Sequence, residues 1–185
     1  EKTGIGLFRF AGSTTPVSLS NRIADALLTA GLHIEYSMFI RAESKAQERL
    51  PELVECYEKI IRSGLRAVFL GVEAANNVVL SKIMDKGGSV EDMYFTVKAI
   101  KQASYNQKIH LDVGVSFIYP CPIPPDSDIT HEQILEENLH LLRKLKNENS
   151  KPDAVLITPG APLPATTWQL EPERFGFDLP ADYVQ

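Results

Sequence analysis

Short apolar runs alternate with helical stretches along most of the chain. Runs of strand length, rich in β-branched and aromatic residues, occur at 5–10, 33–40, 67–72, 109–119 and 153–158. Apolar residues at helical spacing predict helices at about 18–30, 46–63, 89–100 and 130–145. Strands that alternate with helices of this length form crossover units. The pattern therefore predicts an α/β fold with a parallel sheet and right-handed connections.

Capping signals and apolar spacing add detail to the helices. The expected N-caps are Ser18 or Ser20 for the first helix, Ser89 with Asp92 for the third and Thr130 with Gln133 for the fourth. The apolar face of the fourth helix is predicted to carry Ile134, Leu135, Leu139, Leu142 and Leu145.

The stretch 66–89, RAVFLGVEAANNVVLSKIMDKGGS, organises the prediction of function. Its apolar first half predicts a buried parallel strand that delivers Glu73 to the carboxyl end of the strand, where α/β folds place their chemistry. The second half has a short helical stripe over 76–84 and closes with Lys86 before Gly87 and Gly88. We therefore expect Glu73 at the carboxyl end of the strand, and we expect the chain to bring Lys86 back beside it.

An open sheet and a segment of a (β/α) barrel share this pattern, and both bind ligands at the carboxyl ends of the strands. The strand ends carry glycines, hydroxyls, an acid and a base, which suit a polar molecule bearing an ammonium and a carboxylate, or a ribose. A structural alternative is that Arg41 and Glu73 pair with each other across neighbouring strand ends. Lys86, likewise, is open to interpretation as an ordinary cation at a helix C-terminus.

Composition narrows the class of protein. A chain of 185 residues with 44% hydrophobic residues can bury one domain-sized core. The net charge is −5, and the cations are scattered among acids, so no nucleic-acid contact is expected. No apolar run has transmembrane length, and Cys56 and Cys121 lack disulfide or metal-ligand spacing. We therefore expect no membrane contact and a reducing, cytoplasmic location.

Four segments together resemble a known family. They are GVEAANNVVLSKIMDKGGSVEDM, the strand ending in Arg41, the run FIYPCP, and the late segment PDAVLITPGAPLPATTW. They resemble the radical S-adenosylmethionine enzymes, in particular the anaerobic Fe–S oxidoreductases that often carry an N-terminal cobalamin-binding domain. The resemblance covers roughly 5–176, and the first segment is its specific part.

The resemblance implies a partial (β/α)6 barrel, TIM-like, that holds S-adenosylmethionine against a [4Fe-4S] cluster. Cleavage would give a 5′-deoxyadenosyl radical, which abstracts hydrogen from a small-molecule substrate inside the barrel. The family's Cys-x3-Cys-x2-Cys loop is absent from this sequence, and Cys56 and Cys121 do not replace three thiolates in one loop. The chain is therefore expected to be one domain comprising strands two to six, inactive alone. The substrate and cobalamin dependence stay open.

The family's binding positions carry over residue by residue. Gly12 and Ser13 fall where relatives meet the methionyl ammonium, although the usual Gly-Gly-Glu is missing. Glu73 matches a position that reaches the ribose or the methionine, and Lys86 matches one that faces the methionyl carboxylate. The remaining positions are Arg41 in the same polar network, Ser116 and Ile118 at the adenine, and Thr158 beside it.

A function from another class remains open. The chain is alternatively a cluster-free half-barrel that binds a small molecule or a partner. Either way, an incomplete barrel leaves unpaired strand edges, which predicts an edge-to-edge homodimer.

Overall fold

A parallel five-stranded sheet forms the framework of the protein, in the order β1-β2-β3-β4-β5. The computed structural model describes residues 6–11, 14–180 and 183. The strands are β1 (Leu7–Arg9), β2 (Glu35–Ile40), β3 (Leu65–Glu73), β4 (Asp112–Ile118) and β5 (Ala154–Thr158). Each strand pairs in parallel with its neighbour in sequence. The predicted α/β class is confirmed, and the predicted strands are recovered with shifted ends.

Helices connect the strands and complete the chain. They are α1 (Val17–Thr29), α2 (Leu50–Arg62), α3 (Val90–Gln107), α4 (His131–Asn147) and the short α5 (Thr167–Leu170), with a π-helical turn at Val79–Ile83 and a 3₁₀ turn at Pro172–Phe175. The capping boxes predicted at Ser89 and Thr130 are both present. The short helix expected over 76–84 is the π-helical turn.

The start of α1 differs from the prediction. Neither Ser18 nor Ser20 is its N-cap, because the helix begins at Val17 after Pro16. The carboxylate of Glu43, which follows β2, accepts a hydrogen bond from the Val17 backbone N–H at 3.3 Å. A carboxylate from a neighbouring loop thus satisfies one of the free N–H groups of the first turn.

The strand order places the long helices on one face of the sheet. A sequential order with right-handed crossovers puts every connection on the same side, and α1, α2, α3 and α4 pack successively against one another. On β3, Val68, Leu70 and Val72 are buried beneath these helices, whereas Phe69 and Glu73 lie half-buried on the other face. The sheet is therefore a segment of a TIM-like barrel, with an open interior face.

The packed face of α4 does not include all the apolar residues expected on this helix. Leu135 and Leu139, two of the apolar residues expected on this helix, have 36% and 37% of their surface exposed. The buried positions are Ile134, Asn138, Leu141 and Leu145. Four leucines close together suggested a stripe that excludes Asn138, but the helix turns this polar side chain inward to meet the loop after β3.

The two edge strands are poorly covered. All described residues of β1 and β5 are exposed, including Leu7 and Phe8 on β1 and Val155 and Ile157 on β5. After β5 the chain turns towards the π-helical turn, where Trp168 hydrogen-bonds. Because all five residues of β5 are exposed, both faces of this strand are open to solvent.

Candidate functional site

The carboxyl ends of β2 to β5 enclose a cleft of about 830 Å³. The candidate residues predicted from the sequence that line it are Arg41, Glu73, Lys86, Ser116, Ile118 and Thr158. Gly12 and Ser13 lie outside the described residues. The parallel sheet thus brings together six positions that are spread over more than a hundred residues of sequence, while their roles towards a ligand stay predictions.

Glu73 and Lys86 form the polar centre of the cleft. Lys86 Nζ lies 2.6 Å from Glu73 Oε1 and donates a second hydrogen bond to the Gly71 carbonyl at 2.9 Å. The two side chains are 24% and 21% exposed. The alternative Arg41–Glu73 pair does not form, since the partner of Glu73 is Lys86. Lys86 also reaches beyond its own helix end, because its ammonium turns back to the end of β3.

The backbone at Glu73 is strained. Its φ is 65°, in the left-handed region that side-chain-bearing residues rarely adopt. The Ala74 N–H donates to the Val72 carbonyl at 2.9 Å, which closes a three-residue γ-turn around Glu73. The pairing of β3 with β4 shifts register at this point. Strain of this kind concentrates where side chains are held for function, and the sequence gives no signal of it.

Gly71 makes room for the charged pair. A β-carbon at this position would lie 2.5 Å from Glu73 Oε1 and 3.2 Å from Lys86 Nζ. Any side chain here would displace the carboxylate or the ammonium. The glycine is therefore needed for space, not for an unusual φ.

Asparagine side chains hold the loop between Glu73 and Lys86, and sequence reasoning missed them. Asn138 of α4 accepts a hydrogen bond from the Ala75 N–H at 2.7 Å. Asn76 accepts from the Val79 N–H at 2.9 Å, at the first residue of the π-helical turn. Asn77 accepts from the Val90 N–H at 2.9 Å, at the start of α3. The Asn-Asn pair before a helical stripe was the available sequence signal.

A second cavity of about 880 Å³ adjoins the cleft. Met84, Ile118, Thr158 and Trp168 line both cavities. Trp168 Nε1 donates to the Ile83 carbonyl at 2.9 Å, at the end of the π-helical turn. The C-terminal segment thus supplies one wall of the site, from 85 positions away in sequence.

The described residues do not form a cluster or metal centre. Among 6–11, 14–180 and 183, no group of three or more His, Cys, Asp or Glu side chains is placed to hold a metal ion. Cys56 lies on α2, whereas Cys121 is buried in the loop after β4. Burial raises the pKa of the Cys121 thiol to about 11, which disfavours the thiolate that binds iron. These residues therefore do not fit a [4Fe-4S] cluster.

Among the described residues, no helix has the length and apolar character that a membrane span requires.

The fold and the cleft define a class of protein: a partial (β/α) barrel with a polar site at the carboxyl ends of its strands. No protein-family model matches the sequence, and no curated protein matches it either. Solved structures do match. The cobalamin-dependent S-adenosylmethionine radical enzyme OxsB, with aqua-cobalamin and S-adenosylmethionine bound, superposes with a TM-score of 0.54 and 19% identity over 93% of this chain and 23% of that chain.

Two further structures show how widely the fold is shared. HydG, a maturase of the [FeFe]-hydrogenase, gives a TM-score of 0.56 and 16% identity over 99% of this chain and 38% of that chain. Oxaloacetate acetylhydrolase gives a TM-score of 0.50 and 11% identity over 87% of this chain and 53% of that chain. At these identities the similarity establishes a barrel-type fold. The chain spans under a quarter of the length of OxsB.

Proposed function

We propose that the cleft binds S-adenosylmethionine and that this chain forms the ligand-binding part of the barrel of a radical S-adenosylmethionine Fe–S oxidoreductase. The observation that carries the proposal is the Glu73–Lys86 pair in a cleft of about 830 Å³ at the carboxyl ends of the strands. The motif resemblance around Glu73 supports it. OxsB, which shares the fold and was solved with S-adenosylmethionine bound, supports it as well.

The residues of the cleft suit the two ends of this ligand. The methionine part carries a carboxylate, an ammonium and a sulfonium. Lys86 would meet the carboxylate, and Glu73 would accept hydrogen bonds from the ammonium or the ribose. Ser116 and Thr158 add hydroxyls, and Ile118 adds an apolar surface for the adenosine part. A ligand of this kind would replace the internal contact between Glu73 and Lys86 with contacts of its own.

The role that these residues can fill is binding and orientation. S-adenosylmethionine, when bound beside a reduced Fe–S cluster, supplies radical chemistry. The described residues do not fit that cluster, so we assign them no redox step. For the same reason we propose that this chain is inactive alone.

Calorimetry with S-adenosylmethionine tests the proposal. Glu73→Gln and Lys86→Met should each weaken binding about tenfold, because each removes one charge-assisted contact. Lys101→Met is the matched control: Lys101 also lies 2.6 Å from a carboxylate, that of Asp153, but outside the cleft. Absence of binding to the unaltered chain, or equal affinity in all variants, would contradict the proposal.

A cluster-free binding module is the second candidate. The lack of a three-thiolate set among the described residues favours it. Translation of the genomic reading frame upstream of Glu1 separates the two candidates. A Cys-x3-Cys-x2-Cys loop there would favour the radical enzyme, whereas a frame that opens near Glu1 would favour the binding module.

We also propose that the isolated chain pairs edge to edge with a second copy. The proposal is based on β1 and β5, which are the edge strands of the sheet and carry exposed apolar side chains. Gel filtration with light scattering should give the mass of a dimer. A monomer at high concentration would count against this pairing.

A further inference from the structure

Trp168 lies where the two cavities meet. It is the single tryptophan of the chain and lines both the cleft and the second cavity, together with Met84, Ile118 and Thr158. A ligand that starts at the Glu73–Lys86 pair and extends towards the second cavity has to pass this junction. The side chain at the junction therefore controls which shapes fit beyond the charged end.

The indole of Trp168 is fixed by contacts along one edge and with neighbouring rings. Its Nε1 donates to the Ile83 carbonyl at 2.9 Å. The rings of Phe175 and Phe177 lie with their centroids 6.5 and 6.1 Å away. The indole is only half-buried, and Trp168 lines the walls of both cavities. A flat apolar surface is thus held in place before any ligand arrives, which lowers the entropy lost on binding.

The junction and the charged end differ in chemistry. Glu73 and Lys86 offer opposite charges at one end. At the junction the shared wall is apolar and aromatic, apart from the hydroxyl of Thr158 and the solvent-exposed Asp85. S-adenosylmethionine has the same asymmetry, because its charges lie in the methionine part and its other end is a neutral planar base. Matching charge to charge puts the base at the junction.

We infer that Trp168 is a ligand-contacting residue, against whose indole the adenine of S-adenosylmethionine stacks. This inference rests on the proposed function and extends it to a residue that the motif resemblance does not assign. Aromatic side chains bind bases through their π-faces, and one such contact contributes substantially to affinity. The indole is also hydrogen-bonded to Ile83, at the end of the π-helical turn that precedes Lys86.

Two fragments of the ligand test the inference directly. 5′-Methylthioadenosine carries the base and ribose, and methionine carries the charged part. Since Trp168 is the sole tryptophan, its emission reports on the junction alone. Methylthioadenosine should shift or quench this emission in the unaltered chain. Methionine should leave the emission unchanged at concentrations that compete with S-adenosylmethionine.

Variants measure the contribution of the stack. Trp168→Leu should weaken methylthioadenosine binding roughly tenfold or more. Trp168→Phe should retain most of the affinity, because it keeps an aromatic face while losing the bond to Ile83. Tyr105→Leu is the control, since Tyr105 is an exposed aromatic residue away from both cavities. Methionine competition should be the same in all three variants.

The outcomes separate this inference from the proposed function. Failure of the unaltered chain to bind S-adenosylmethionine would overturn both. Binding with no change in tryptophan emission, or with equal methylthioadenosine affinity in Trp168→Leu, would overturn the stacking role and leave the proposed function standing. The emission measurement uses the unaltered chain, so it decides the question even if Trp168→Leu fails to fold.

Discussion

The two ends of the sheet carry lysine–carboxylate pairs of equal length in different settings. Lys86 and Glu73 lie at the carboxyl end of β3, and Lys101 of α3 and Asp153 lie at the amino end of β5, each pair with a 2.6 Å separation. Asp153 also accepts the Val113 N–H at 2.8 Å, and its own N–H donates to the Val113 carbonyl at 2.8 Å. The amino-end pair therefore fixes the alignment of β4 and β5.

The carboxyl-end pair has no such purpose in the sheet. Glu73 interrupts the ladder with a left-handed backbone, and its carboxylate faces an open cleft. At the amino end, the carboxylate of Asp153 bonds a backbone N–H of the neighbouring strand. At the carboxyl end, Lys86 bonds the Gly71 carbonyl, but the carboxylate of Glu73 lies on a strained backbone and lines the cleft. An ion pair alone does not identify a functional site. The strained backbone that carries Glu73 and the cleft beside its carboxylate are the features that distinguish this pair.

The largest effect is expected from breaking the loop that displays Glu73. Asn138→Leu would leave the buried Ala75 N–H without its acceptor, which should lower the free energy of unfolding by about 2–3 kcal/mol. Because Ala75 is two residues from Glu73, affinity for S-adenosylmethionine should fall as well. Urea unfolding and calorimetry measure the two effects. Leu139→Ala, at the exposed position next to Asn138, is the control. An equal loss of affinity in this variant would contradict the role of Asn138 in holding the loop of Glu73.

A smaller loss of stability is expected at the amino end. Asp153→Ala removes the acceptor of both Lys101 and the Val113 N–H and should lower the free energy of unfolding by about 1–2 kcal/mol. Ligand affinity should stay unchanged, in contrast to Glu73→Gln. If an Asp153 variant lost ligand affinity but kept its stability, the structural role assigned to the pair at the amino end would be wrong.

The strain at Glu73 should be measurable by comparing two substitutions. Both Glu73→Ala and Glu73→Gly remove the carboxylate, but only glycine adopts a φ near 65° without a steric penalty. We expect Glu73→Gly to be about 1 kcal/mol more stable than Glu73→Ala in chemical denaturation. Equal stability of the two variants would show that the turn is unstrained. Both should lose affinity for the ligand.

The smallest effect concerns acid pH. Burial raises the pKa of Asp153, but the hydrogen bonds from Lys101 and Val113 outweigh it and hold the pKa below the usual value of 3.8. A carboxyl with a lowered folded-state pKa stabilises the protein above its unfolded pKa and loses this contribution as the pH falls through the folded value. The difference in unfolding midpoint between Asp153→Asn and the unaltered chain should therefore stay constant above about pH 4 and shrink as the pH falls further below that value. If the two plots of unfolding midpoint against pH stayed parallel, Asp153 would not contribute to the pH dependence of stability.

The sequence was sufficient for features that local pattern encodes. The alternating strands and helices, the capping boxes at Ser89 and Thr130 and the return of Lys86 towards Glu73 all follow from spacing within short segments. Strand ends were less accurate, because pairing with neighbours decides where a strand stops.

Long-range contacts were beyond the sequence pattern. Asn138 meets Ala75 across 63 positions, and Trp168 meets Ile83 across 85. In a helix pattern, a single asparagine among leucines indicates a solvent-facing position, so its inward direction was missed. The left-handed turn at Glu73 was missed because glycine, not glutamate, usually marks such a turn.

The close approach of Gly71 to the charged pair has a consequence for related sequences. The three residues share one small volume, since a β-carbon at position 71 would contact both Glu73 Oε1 and Lys86 Nζ. Substitutions at the three positions should therefore be correlated across a lineage. A glycine two residues before a glutamate, with a lysine thirteen positions after that glutamate, is a compact signature of this arrangement. Lineages that lose both the glutamate and the lysine should be free to replace the glycine.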